Sequence, residues 1–139
     1  MPDLVVDKEL IEAAKDAIRR RYRQDWHTVG AAVRMTSGRV YTGVHLEANV
    51  GRIAVCAEAI ALGKAISEGD EKIDTIVAVY HPRPVFVDQE IRVVAPCGMC
   101  RELISDYGPS AKVIVPHDDG VATVQIQELL PGRYRRPSQ

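Results

Sequence analysis

All three cysteines of this 139-residue chain fall in two short segments, Val55-Cys56-Ala57-Glu58 and Pro96-Cys97-Gly98-Met99-Cys100. Three thiolates are one short of a closed four-cysteine zinc site, and they match a catalytic zinc with one coordination position left open. Two segments some forty residues apart must then meet at one point, and that requirement shapes everything between them. Cys97 and Cys100, three apart, share a face of a first helical turn. Helix N-termini carry partial positive charge and free N–H groups, and both favour thiolates. Cys56 has to arrive from a second helix start. Glu58 lies two residues further on, and residues two apart do not share a face in mid-helix. Cys56 and Glu58 therefore converge only if they open their helix. A structural zinc would need a fourth ligand from His27, His45, His81 or His117, and a lone Cys-x-x-Cys also suits redox chemistry.

The rest of the chain supplies the scaffold. Asp7 caps a helix over residues 8 to 23, with Leu10, Ile11, Ala14, Ala17, Ile18 and Tyr22 on its apolar face. The cluster Arg19-Arg20-Arg21 with Arg23 reads as a solvated face. Val29 to Met35 and Arg39 to His45 form a hairpin around Thr36-Ser37-Gly38. A loop over 48 to 54 leads into a helix over 55 to 68, buried on most sides. Ile73 to Tyr80 is a central strand, broken by His81-Pro82-Arg83-Pro84. Val85-Phe86-Val87 and Ile91 to Val94 are expected to make a short excursion or extra hairpin. A helix over 99 to 107, a strand over 112 to 115, a turn at 117 to 120 and a strand over 121 to 124 follow. One or two helical turns over 125 to 130 precede a frayed end at 137 to 139. Helices and strands in this order predict an α/β domain, a mixed sheet of about five strands covered by helices. Both cysteine segments enter at one sheet edge, where open α/β sheets place ligands.

Composition narrows the function classes. The chain fits one domain, residues 1 to 139, able to bury a core without disulfides. Its 18 basic and 19 acidic residues give a net charge of −1, without the basic footprint of a nucleic-acid binder. No apolar run approaches the length that spans a bilayer. Met1-Pro2-Asp3-Leu4 lacks the order of a signal peptide, and an odd cysteine count argues against a disulfide framework. The expectation is a cytoplasmic protein with a small-molecule substrate and neither nucleic acid nor membrane as partner.

The open fourth position suits water, whose pKa zinc lowers towards ~7. Cys-x-Glu answered by Pro-Cys-x-x-Cys is the pattern of zinc nucleobase deaminases, with the glutamate as proton shuttle and not a ligand. The sequence resembles the small cytidine deaminases, with the blasticidin-S deaminases as a branch of the same superfamily. The matching stretches are Val29-Gly30-Ala31-Ala32, Gly38 to Val44, Cys56-Ala57-Glu58, Pro96 to Arg101 and Glu128-Leu129-Leu130-Pro131. The resemblance implies a three-layer α/β/α fold, one Zn²⁺ per chain on Cys56, Cys97 and Cys100, and Glu58 as the catalytic acid/base. It also implies a homo-oligomer, a tetramer or a dimer, and substrate contacts from His45, Glu47, Ala57 and Tyr134.

The departures concern the substrate. Where the family carries Asn-x-Glu to hold a ribose, this chain has His45-Leu46-Glu47. His27 replaces an aromatic residue, and Ala59 replaces the arginine after the glutamate. Zn²⁺ on three thiolates keeps one net negative charge, so helix dipoles or Arg101 must compensate. The expected reaction is hydrolytic deamination of a cytosine-type aminopyrimidine nucleoside, cytidine or deoxycytidine. Blasticidin S or another amino-heterocycle is the alternative substrate, and a non-enzymatic zinc or ligand-binding protein the alternative class.

Overall fold

The computed structural model describes residues 2–137. Helix α1, Lys8–Arg21, begins at the expected cap, where the Asp7 carboxylate accepts the Leu10 N–H at 3.0 Å. It stops two residues short of the expected end, because Tyr22 leaves helical geometry and Arg23 pairs with His27 across a tight turn. Strands β1, Val29–Met35, and β2, Val40–Val44, form the hairpin, with Gly38 at positive φ in its turn. Helix α2 spans Ala57–Ser67, two residues shorter at its start than the sequence predicts. Val55 is occupied there by a two-way backbone bridge to Leu46.

Strand β3, Ile73–Tyr80, is antiparallel to β1 and parallel to β5, Lys112–His117. Strand β6, Gly120–Gln125, closes the order β2-β1-β3-β5-β6. A sixth strand, β4 at Arg92–Val94, pairs with Ala78–Tyr80 of β3, above the level at which β5 pairs with Thr75 and Ile76. β4 and β5 therefore share one flank of β3 end to end, giving six strands in five ranks. Helix α3, Gly98–Tyr107, follows β4, and a single 3₁₀ turn at Ile126–Leu129 follows β6.

Alternation along the strands builds the two cores. Ala31, Val33 and Met35, with Ile76, Ala78, Val113 and Val115, face α2 and α3 and bury Ala57, Ala61, Leu62, Ala65 and Ile104. The intervening Ala32, Val77, Val79 and Ile114 face α1 and bury Leu10, Ala14 and Ile18. The outcome is the expected α/β/α sandwich, with α1 on one face and both cysteine-bearing helices on the other. Two glycines allow the close approach. A Cβ on Gly30 would lie 2.5 Å from Ala14 O of α1, and one on Gly43 would lie 2.7 Å from Ala61 N of α2.

One expectation needs correction. Val85-Phe86-Val87 forms no strand: these residues stand exposed on a turn, closed by the Gln89 side-chain amide donating to the carbonyls of Arg83 and Phe86. Pro82 and Pro84 remove backbone donors from its approach. Among the described residues, no helix is long and apolar enough to cross a membrane. The fraying expected at the C-terminus falls, for Ser138 and Gln139, outside the described residues.

Candidate active site

The two cysteine segments meet at the end of the sheet where β3 finishes and β1 begins, with Tyr80 opposite Val29. The bridge between Leu46 and Val55 carries the chain from the end of β2 to Cys56, which is the N-cap of α2. Its carbonyl accepts the N–H groups of Ala59 and Ile60 and starts the helix. Glu58 is thus the second helical residue, in the first turn that its convergence with Cys56 requires. Cys97 is the N-cap of α3 and Cys100 its third residue. Cys56 Sγ and Cys97 Sγ lie 3.6 Å apart, and all three sulfurs lie within 4.8 Å of one another. Zinc with bonds of about 2.3 Å to sulfur would set tetrahedral edges of about 3.8 Å, so the donor set fits that ion. Among the described residues this cluster includes no histidine, which leaves the fourth position open.

The acids here are tuned by burial and by one another. Glu58 is only 5% exposed, and burial pushes its carboxyl above the usual carboxylate range. Its own N–H and the Cys100 thiol oppose that rise by hydrogen bonding to it. Burial also pushes the Cys100 thiol up, with the Glu58 charge adding to it, and raises Cys56. Cys97 goes the other way. Burial would raise it, but the N–H of Cys100, the other two thiols and the N–H of Met99 together hold it below the ordinary thiol value. That is the effect expected of a sulfur at a helix N-terminus.

A cavity of about 270 Å³ opens beside the sulfurs, lined by Thr28, Val29, His45, Cys56, Ala57, Glu58, Val94, Ala95 and Cys97. His45 and Ala57 thus line one cavity with Cys56, Cys97 and Glu58. Glu47 sits one step back, with Oε2 at 3.9 Å from His45 Nε2 and Oε1 accepting the Ala48 N–H. Tyr134 lies elsewhere in its own chain, exposed in a cleft with Glu102, Asp106 and Arg133.

Three loops frame this end of the sheet. His27 Nδ1 donates to the His45 carbonyl at 2.8 Å, which fixes its proton on that nitrogen. Trp26 O accepts the Glu47 N–H, Asp25 pairs with Arg83 at 3.0 Å, and Tyr22 stacks on His81 with ring centres 3.8 Å apart. His27 thus acts on the wall of the cavity through His45. Thr28, Val29, Val94 and Ala95 also line the cavity and are not among the site residues expected from the sequence. Their signal was position alone: Thr28 and Val29 stand at the start of a matching stretch, and Val94 and Ala95 lead into the Pro96-Cys97 turn.

The comparisons agree with this geometry. The family model for the cytidine and deoxycytidylate deaminase zinc-binding region matches residues 5–116. The chain is 50% identical over 130 residues to the blasticidin-S deaminase of Bacillus cereus, covering 94% of this chain and 93% of that one. It is 34% identical over 108 residues to a cytidine deaminase of Halalkalibacterium halodurans, covering 76% of each. The crystal structure of cytidine deaminase from Burkholderia pseudomallei superposes with a TM-score of 0.72 at 28% identity, covering 94% of this chain and all of that one. With three clustered thiols, a buried glutamate and these likenesses together, the chain belongs to the cytidine and deoxycytidylate deaminase family of zinc-dependent hydrolytic deaminases.

Proposed function

We propose that this chain hydrolyses the exocyclic amino group from the cytosine ring of a nucleoside analogue of the blasticidin S kind. In this reading Cys56, Cys97 and Cys100 hold the zinc and Glu58 moves the protons. The observation that carries the substrate is the 50% identity to the Bacillus cereus blasticidin-S deaminase across nearly all of both chains. Bound zinc supplies Lewis acidity that makes water a nucleophile near neutral pH. Glu58 takes a proton from the attacking water and passes it to the ring nitrogen beside the reacting carbon. It then carries the second proton to the departing amine. The C–N bond breaks, a carbonyl forms, one water is consumed and one ammonia leaves. A carboxyl whose burial raises its proton affinity suits a group that must both accept and return protons.

His45 and Glu47 are assigned to the sugar portion of the substrate, and Ala57 to the wall beside the ring. Cytidine and deoxycytidine form the second reading, favoured by the retention of Glu47 beside His45. An ammonia-release assay on blasticidin S, cytidine and deoxycytidine decides between them. At least tenfold higher kcat/KM for blasticidin S supports the first reading, and the reverse order supports the second.

A homo-oligomer, a tetramer or a dimer, is part of the same proposal. Arg133 ties the C-terminal tail to α3 through Ser105, Glu102 and Asp106, leaving Tyr134 exposed where a neighbouring subunit can meet it. Light scattering gives the subunit number. Three free thiols at a metal site also fit a reducing compartment such as the cytoplasm, which fractionation would test.

A further inference from the structure

Segment 45–47 carries two of the residues assigned to the substrate, yet it lies beyond the β1–β2 ladder, whose last pair is Gly30 with Val44. Single contacts hold it instead. The His45 N–H donates to Val29 O at 2.8 Å, which fixes the peptide before His45. The peptide after it is pinned at both ends. Its N–H, from Leu46, donates to Val55 O at 2.9 Å, and its carbonyl, from His45, accepts the His27 Nδ1–H at 2.8 Å. Planar peptides fixed on both sides leave φ and ψ of His45 no freedom, and so set the direction of its Cα–Cβ bond.

That direction shapes the cavity, because His45 lines it together with Cys56, Ala57 and Glu58. Glu47 Oε2 lies 3.9 Å from His45 Nε2, and the Glu47 N–H donates to Trp26 O at 3.1 Å, so a turn of the backbone at His45 moves both side chains. Of these hydrogen bonds only the one from His27 is made by a side chain. The others join backbone to backbone, whereas this one depends on residue type. The ring is also delivered ready-placed: the His27 N–H donates to Arg23 O at 2.8 Å, and its carbonyl accepts the Arg23 N–H at 3.1 Å.

We propose that His27 is a positioning residue for substrate binding: by holding the His45 carbonyl, it fixes the His45–Glu47 segment in the arrangement that takes the sugar portion of the substrate. This rests on the deamination of a cytosine nucleoside, or of an analogue of the blasticidin S kind, proposed above. The net worth of one hydrogen bond corresponds to about two- to tenfold in affinity. A loss of that kind falls on KM and leaves the chemical step at Glu58 in place.

The test compares the zinc-loaded wild type with His27→Phe and His27→Leu, two independent variants without the donor, and with His27→Asn, whose side-chain N–H₂ can restore it. Ammonia release from blasticidin S and from cytidine gives kcat and KM, with zinc content and thermal midpoint recorded alongside. For whichever compound the wild type turns over better, KM should rise about three- to tenfold in both donor-less variants, with kcat within about twofold. Zinc content should not change, and His27→Asn should return KM to within about twofold of wild type. Wild-type KM in His27→Phe or His27→Leu overturns the proposal, even with a lowered thermal midpoint, since His27 would then serve the fold alone. So does a loss confined to kcat, or failure of asparagine to restore KM. A wild type that releases ammonia from neither compound strikes the functional reading itself, and the proposal with it.

Discussion

Gly43 links the packing of the sheet to the geometry of the metal centre, and Gly43→Ala tests that link. A methyl group there would meet Ala61 N at 2.7 Å and Ile60 Cγ2 at 2.8 Å, both on α2. Ordinary contact begins at 3.4 Å, so α2 must retreat from β2 by about 0.7 Å. The first of these atoms is backbone and has no rotamer by which to yield. Overpacking of this kind costs about 1 to 3 kcal/mol. The same displacement moves Cys56, the cap of α2, relative to Cys97 and Cys100 on α3. Metal–ligand distances tolerate about 0.2 Å, so the shift exceeds what the zinc site absorbs. Gly43→Ala should therefore lower the thermal midpoint and yield protein with well under one zinc per chain by elemental analysis. Gly63 lies in the same helix, and a Cβ there meets nothing within 4 Å. Gly63→Ala should keep its zinc and gain about 0.5 to 1 kcal/mol from helix propensity. Full zinc occupancy and an unchanged midpoint in Gly43→Ala would refute the argument that α2 is seated by that contact.

Other outcomes follow from single interactions. Asp7 caps α1 and pairs with Arg34 of β1 at 2.7 Å, so Asp7→Ala should cost about 2 kcal/mol, with the cap and the ion pair each giving about 1. The Arg34 guanidinium and the Leu10 N–H hold the Asp7 carboxyl below its ordinary value, so its contribution is present above the unfolded pKa of ~3.9 and disappears as pH falls through the lower folded value. Asp7→Asn keeps the cap, and its stability deficit, about 1 kcal/mol at pH 7, should shrink as the pH falls into acid; a deficit that does not change with pH contradicts the pairing. In metal-stripped protein, Cys97, exposed and held low, should alkylate first and Cys100, buried and pushed up, last, as read by peptide mass spectrometry. His45→Asn should shift kcat/KM from blasticidin S towards cytidine by about tenfold, the worth of one hydrogen bond.

The site was legible because its chemistry depends on residue types at short spacings. Cys56, Glu58, Cys97 and Cys100 form a group that only two helix starts can assemble, and the helix starts are where the sequence places them to within two residues. Strand β3 was legible to its ends, since Ile73 to Tyr80 is β-branched and bounded by Pro82. The same propensity misled at Val85-Phe86-Val87. Such residues suit strands when neighbours cover them, and among the described residues no strand pairs with them. Strand β5 runs on past Val115 through Pro116 because its ladder with β3 ends at Val113, so the missing N–H leaves no partner unpaired on that side. The frame made by His27, Asp25, Arg83 and the stacked Tyr22 and His81 had no local signature. It joins loops from three parts of the chain, and only the register of β1 against β3 brings them together.

The central claim is that Glu58 moves the protons of a hydrolysis while three cysteines hold the zinc, and Glu58→Gln separates those two roles. The variant keeps the shape of the side chain and should bind one zinc per chain by elemental analysis. Its ammonia release from blasticidin S and cytidine should fall by at least about 100-fold, the lower bound for removing a general acid/base. Turnover at the wild-type rate in zinc-loaded Glu58→Gln would contradict the account.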